Sequence, residues 1–356
     1  MSYSPFLNMA VLAALAAASV LAAEAPVYQH RSDLLLLKEG REPERPIRKP
    51  SDWNQRREQI LLNMQKVMGA LPGPEKRVPL DVKVEEEEQT ERCLQRKLSY
   101  ASAPGERVPA YLFIPRKLNG KAPAMLCLHQ TVAIGKDEPA GLGGSANLHY
   151  GQELAERGYV VLVPDYPAFG EHRIDVYERG WESGSMKAIW DNMRGIDLLQ
   201  SLPEVDGRRI GCVGHSLGGH NTLFTSAFDT RVKALVSNCG FTAFGKYYGG
   251  DLTGWTGRAY MPRIKTLFPT PDRMPFDFHE VVAALAPRAF LAVAPQRDSN
   301  FEVSGVREVI EAARPVYRLL GKEDHLEALY PDGVHDFPPE MREAAYSWLD
   351  RWLKRP

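Results

Sequence analysis

Cysteine is scarce in this chain: four residues in 356, Cys93, Cys127, Cys212 and Cys239, with no C-x-x-C pair among them. That excludes a zinc ribbon, a thioredoxin-type redox motif and a disulfide-stapled miniprotein. Three of the four lie in apolar runs that read as core strands, where a free cysteine acts as a small apolar side chain. A basic excess is also missing. The 44 Lys and Arg face 45 Asp and Glu, a net charge of −1. A counterion-releasing surface needs a Lys/Arg excess, so nucleic acid is not an expected partner. There is no HExxH and no P-loop, so no metal and no cofactor is expected. No apolar run reaches the roughly 20 residues of a bilayer span. What remains, 44% hydrophobic and 25% charged, is the composition of a soluble globular protein. The length suits one large α/β domain or two ordinary ones.

Residues 9–23 are apolar except for Ser19. The run is too short to span a bilayer but suits the core of a secretory signal. Val20 and Ala22 offer small residues at the −3 and −1 positions of a cleavage site. No Lys or Arg precedes Arg31, so the amino terminus alone supplies positive charge ahead of the run. We expect a signal peptide over 1–22 and a secreted or periplasmic mature chain with no membrane span.

Residues 23–75 read as an arm and a helix. The charged, proline-containing stretch 24–50 reads as exposed. Ser51 or Asp52 is placed to cap a helix running to about Ala70, with Trp53, Ile60, Leu61, Met64, Val67 and Met68 near helical spacing. Leu71-Pro72-Gly73-Pro74 stops it. The remainder, 76–356, reads as one α/β domain. It begins with three short β-like runs, 78–84, 94–100 and 108–114, joined by hairpin-like turns. The acidic run 85–88 fits a solvated edge or turn.

From residue 122 the pattern changes to apolar runs alternating with helical stretches. The runs are 124–129, 159–164, 209–214, 234–238, 289–294 and 326–330. Continuous apolar runs suit parallel strands covered on both faces. Before Pro203, Met186, Ile189, Trp190, Met193, Ile196 and Leu199 form a helical stripe, with Asp191, Arg194 and Asp197 off it. The expected architecture is a mostly parallel doubly wound sheet with antiparallel N-terminal strands. Residues 240–278 interrupt it and are rich in aromatics. An unstructured loop of that length is unusual unless functional, so we expect a lid insert.

Gly214-His215-Ser216-Leu217-Gly218 matches G-x-S-x-G. A strand precedes it and a helical run follows, the setting a nucleophile elbow requires. The glycines allow a tight turn, and Ser216 projects above the strand ends. The serine needs a base. His335, in Tyr330-Pro331-Asp332-Gly333-Val334-His335, lies on the loop after the last strand; His215 and His220 flank Ser216 in sequence, and the elbow turns them away from the position of its base. The base needs an orienting carboxylate, and Asp298 follows the strand 289–294. The order Ser216, Asp298, His335 is Ser…Asp…His. The oxyanion needs two backbone amides. Leu217 follows the nucleophile, and Thr131 in His129-Gln130-Thr131 follows the strand 124–129. Gln130, His215, Trp255 and Tyr260 are the candidate substrate-contacting residues.

From residue 122 onward the chain resembles the α/β-hydrolase superfamily, and within it bacterial dienelactone-hydrolase-like and acetyl-xylan-esterase-like serine esterases. The resemblance rests on LCLHQT at 126–131, Pro167-Ala168-Phe169-Gly170 after the next strand, VDGRRIGCVGHSLGG at 205–219, and Pro275-Phe276-Asp277-Phe278-His279 ahead of Ala286-Pro287-Arg288. The last segment is also similar to glucuronoyl esterases. Gln130 replaces the glycine common after the strand-end histidine. Leu217 stands where glucuronoyl esterases tend to have Arg, and Ser216 where dienelactone hydrolase has Cys. The resemblance implies an exported ester hydrolase acting through an acyl-enzyme on a small-molecule or carbohydrate ester, of acetyl-xylan or uronate type. Two alternatives stand beside it: a prolyl-oligopeptidase-like serine peptidase, against which no propeller-length segment precedes the hydrolase region, and a non-catalytic binding protein.

Overall fold

The computed structural model describes residues 25–354 other than 29 and 41; the expected signal segment lies outside them. A small ribbon pairs β1 (Leu36–Leu37) with β2 (Arg45–Pro46). The main sheet has nine strands: β3 (Lys83–Gln89), β4 (Cys93–Ala103), β5 (Glu106–Pro115), β6 (Ala122–Leu128), β7 (Val160–Pro164), β8 (Val205–His215), β9 (Val232–Asn238), β10 (Ala289–Val293) and β11 (Leu326–Leu329). Their order is β11-β10-β9-β8-β6-β7-β5-β4-β3. The six strands from β11 to β7 are parallel, and β5, β4 and β3 continue antiparallel.

The apolar runs are continuous because both faces are covered. Along β6, Ala124, Leu126 and Leu128 join one buried cluster, and Met125 and Cys127 join another. On the first face lie α1 (Pro50–Met68), α3 (Gly184–Ser201), α4 (Leu217–Phe228), α6 (Phe278–Leu285) and α7 (Val303–Leu319). On the second lie α2 (Tyr150–Glu156) and α8 (Pro339–Leu353). The four cysteines are free and buried.

Three expectations change. The first β-like run begins at Lys83, not 78, and takes in the acidic residues 85–88 as an exposed edge strand. Charge along an unpaired edge blocks strand addition by another chain. The cap of α1 is neither Ser51 nor Asp52: Lys49 occupies that position without a side-chain bond, and Pro50 opens the helix, where its missing N–H costs nothing. The arm is not exposed. Tyr28, Leu34, Leu37 and Ile47 are buried, and Arg31 donates to the carbonyls of Pro271 at 3.0 Å and Asp272 at 3.2 Å. Helix α3 is buried beyond its apolar stripe as well. Asp191 is bonded by Lys187 and, at 3.0 Å, by His172, and Lys187 also reaches Glu106.

Between β9 and α6, residues 240–278 form two short 3-10 turns and one five-residue helix, α5 (Arg263–Leu267). Phe241, Phe244, Trp255, Phe276 and Phe278 sink into the main core. The segment is anchored by its aromatics, and of its two turns only the first, 247–250, has no buried residue.

Candidate active site

Parallel strands end on the same edge of a sheet, and ligands bind beyond that edge in open α/β folds. Here the loops after β6, β8, β9, β10 and β11 all leave it. They carry, in that order, Gln130 and Thr131, Ser216, the aromatic insert, Asp298, and His335.

Ser216 sits between β8 and α4 with φ 53° and ψ −116°. A positive φ at a non-glycine residue stores about 1–3 kcal/mol of strain and recurs at functional sites. Its N–H donates to the Asn238 carbonyl at 2.9 Å, which ties the turn to the end of β9. The neighbouring glycines are sterically required. A Cβ at Gly218 would collide with the Leu128 carbonyl, and one at Gly219 would lie 2.7 Å from the Gly240 Cα. The elbow is thus wedged between the ends of β6 and β9.

His335 Nδ1 faces both Asp298 oxygens, at 3.0 and 2.9 Å. Asp298 also accepts from the amides of Asn300 at 2.8 Å and Phe301 at 3.1 Å. Burial pushes its pKa up, but the bond from His335 and the two amides outweigh burial and hold the carboxyl below its ordinary value. The acid therefore stays ionised, fixing Nδ1 as the protonated nitrogen and leaving Nε2 as a bare acceptor. Cys239 lies behind it, at φ 49°. Burial, then Asp298, hold its thiol well above the ordinary value, so it remains a neutral thiol.

A cavity of about 270 Å³ opens over these groups, and Ser216, His335, Leu217, Thr131, Gln130, Trp255 and Tyr260 line it. Asp298 lies behind His335, off the wall. Leu217 is the first residue of α4, where an amide has no intrahelical acceptor. Thr131 Oγ1 is 2.8 Å from the Tyr260 hydroxyl, which links the β6 loop to the insert. His129 is buried and clasps that loop: its Nε2 accepts from the Tyr166 amide at 2.9 Å and its Nδ1 meets the Gln130 carbonyl at 2.6 Å. Gln130 spends its amide donor on Glu138 at 2.9 Å.

His215 does not reach the cavity, contrary to expectation. It ends β8, so its side chain turns into the protein. Its ring lies 4.7 Å from the His335 ring, and its Nδ1 is 2.6 Å from the Asn238 amide nitrogen. Burial, with His335 beside it, brings its pKa down to about 3. His220 is the reverse case: sequence reasoning turned it away, yet it lines the cavity. It is four residues beyond Ser216 on α4, and that spacing returns to the same helix face. Tyr247, Asn300 and Phe301 also line the wall; no local motif marks them. Arg258 and Arg263 face Asp175 and Glu182, outside the cavity.

Residues 146–356, more than half of the chain, match the model of the Prolyl oligopeptidase family. The Bacillus subtilis protein YtaP, named as a hydrolase, is 26% identical over 313 residues, covering 84% of this chain and 99% of that protein. A glucuronoyl esterase from Solibacter usitatus superposes with a TM-score of 0.72 at 20% identity, covering 92% of this chain and 99% of the other. A Bacteroides fragilis protein described as an acetyl xylan esterase superposes at 0.63 and 20% identity, covering 94% and 88%. With the strand order and the elbow above, these place the sheet among α/β-hydrolases, and the chain belongs to the prolyl oligopeptidase family of that fold.

Proposed function

We propose that this chain is a serine carboxylic-ester hydrolase acting on carbohydrate esters of the acetyl-xylan or uronate type. The observation that carries the reading is the Asp298–His335 pair on the same cavity as a strained Ser216. His335 Nε2 takes the Ser216 proton as Oγ attacks the acyl carbon. The amides of Leu217 and Thr131 hold the oxyanion of the tetrahedral adduct. His335 then protonates the leaving alcohol, giving an acyl-enzyme that water resolves by the same route in reverse. Asp298 keeps the imidazole in one tautomer throughout. The aromatic walls of Trp255 and Tyr260 suit a sugar ring, and the names of the superposed esterases point the same way.

A serine peptidase of the same mechanism is the second reading, favoured by the matched family. Hydrolysis of p-nitrophenyl acetate, acetylated xylan and a methyl glucuronate ester, set against aminoacyl-nitroanilides, decides between them. Turnover confined to the anilides overturns the ester reading, and silence on all of them supports a binding protein.

The apolar run 9–23 supports export with cleavage after Ala22. Among the described residues no helix is long and apolar enough to cross a membrane. N-terminal sequencing of protein from a secreting host should start at Ala23; an intact Met1 on protein retained in the cytoplasm refutes it.

A further inference from the structure

One part of the cavity wall is polar and unpaired. His220 is only 5% exposed, and among the described residues neither ring nitrogen has a hydrogen-bond partner. Its ring packs 4.9 Å from Trp255 and 5.4 Å from Phe224. Trp255, 4% exposed, has an indole N–H that is equally unpaired and closed off. Of the polar groups nearby, the Tyr260 hydroxyl is bonded to Thr131 and the Gln130 amide to Glu138. A buried polar group without a partner costs about 1–3 kcal/mol, so two side by side on a cavity wall mark a place where a ligand's hydrogen bonds would be gained.

The chemistry of the missing partner follows from the charge state. Burial lowers the His220 pKa to about 3, so near neutral pH the ring carries one N–H donor and one bare acceptor. Trp255 adds a second donor. A carboxylate only accepts, and it would oppose the bare nitrogen. An ammonium only donates, and it would leave both N–H groups unpaired. A hydroxyl does both. Among the described residues, none that lines the cavity is Asp, Glu, Lys or Arg, so that wall has no permanent charge to hold an ion.

We infer that His220 and Trp255 form a subsite for an uncharged hydroxyl next to the scissile ester, so that the substrate is a neutral polyol or sugar ester. The inference rests on the ester reading and narrows it. His220 here is a specificity residue, one turn along α4 from the nucleophile. The nitrogens are closed off where the Trp255 and His220 rings meet, so the hydroxyl reaches them by a shift of these two side chains against each other.

Two measurements test this. The first compares kcat/KM for a mono-O-acetylated methyl xyloside with that for p-nitrophenyl acetate, in wild type, His220→Phe and His220→Gln. Phenylalanine keeps the ring and loses both nitrogens. The sugar-to-aryl ratio should fall roughly tenfold to a hundredfold in His220→Phe, mainly through KM. His220→Gln, neutral with donor and acceptor, should recover most of it. An unchanged ratio in His220→Phe overturns the subsite, as does failure of His220→Gln to recover it.

The second measurement does not depend on ester turnover. Binding of methyl β-xyloside to Ser216→Ala, followed by tryptophan fluorescence, should weaken about tenfold when His220→Phe is added. Equal binding in the two proteins, or binding to neither, overturns the subsite. Wild-type inactivity on both esters instead sinks the ester reading, and the binding arm still decides the subsite. The thermal midpoint of His220→Phe should equal or exceed that of wild type, because an unpaired buried polar group has been removed. A clear drop would mark a structural histidine.

Discussion

At the scale of single residues, the proposed chemistry depends on three side chains that the sequence orders Ser216, Asp298, His335. Replacing Ser216 with Ala should lower kcat on any ester by about 10⁶-fold, as for other triad nucleophiles. Circular dichroism should stay that of wild type, because Ser216 makes no side-chain cap for α4. Near-native turnover in a folded variant refutes the nucleophile. Asp298→Asn is the finer test. An amide can donate to His335 Nδ1 and trap the wrong tautomer, and the analogous change elsewhere costs about 10⁴-fold. A loss below tenfold would mean that Asp298 only braces the loop. These residues were legible because each sits just past a strand end, at a position the apolar runs reveal. The roles of His215 and His220 were not. Both flank Ser216 in sequence, but one belongs to a strand and the other to a helix. Which face each takes depends on where β8 stops, and a strand boundary is only loosely fixed by sequence pattern.

At the scale of elements, the parallel strands were readable because burial on both faces leaves uninterrupted apolar runs. The N-terminal arm and α1 were harder, since their docking relies on charge that looks like surface. Arg56 is fully buried, donates to Glu280 of α6 at 2.5 Å, and stacks 3.5 Å over the Tyr28 ring. Glu280 also accepts from the Asp277 amide, closing the capping box of α6. Helix α7 was obscured differently: its buried stripe of Val306, Val309, Ile310, Ala313 and Val316 is broken in sequence by Pro315, which reads as a helix stop. The Arg56–Glu280 pair makes a prediction at this scale. Glu280→Ala leaves a guanidinium buried without its carboxylate, which costs about 3–5 kcal/mol. Urea unfolding should show that loss in a single transition if the arm, α1 and the sheet form one cooperative unit. A loss under 1 kcal/mol, or a separate early transition, would make the N-terminal segment an appendage to the domain.

For the whole molecule, the same burial that shapes the site sets how stability varies with pH. His215 and His220 both have pKa values brought down to about 3, by burial in each case, with His335 adding to the effect on His215. In the unfolded chain both return to about 6.5. Between those values the unfolded state binds more protons than the folded one, so stability rises with pH there and falls as acid is added. Their contribution is complete above about pH 6.5 and is lost steadily below it, by roughly 1.4 kcal/mol per pH unit for each histidine. Buried His129, also lowered by burial, adds a loss of the same sign. Asp298 and Asp191 are carboxyls held below their ordinary value. Their contribution is present above the ordinary carboxylate range and disappears only as pH drops through the lowered value. Asp277, raised by burial, works in the opposite sense and adds stability as pH falls, so the histidine share of the window from pH 6.5 to 4.5 is read from the difference between wild type and His220→Phe. Across it, urea unfolding should register a fall of about 5 kcal/mol from His215 and His220 together. His220→Phe should remove close to half of that slope, because phenylalanine has no proton to gain on unfolding. If wild type and His220→Phe lose stability in parallel over this window, His220 is not held neutral in the folded protein. The uncharged cavity wall from which the hydroxyl subsite was argued would then be wrong as well.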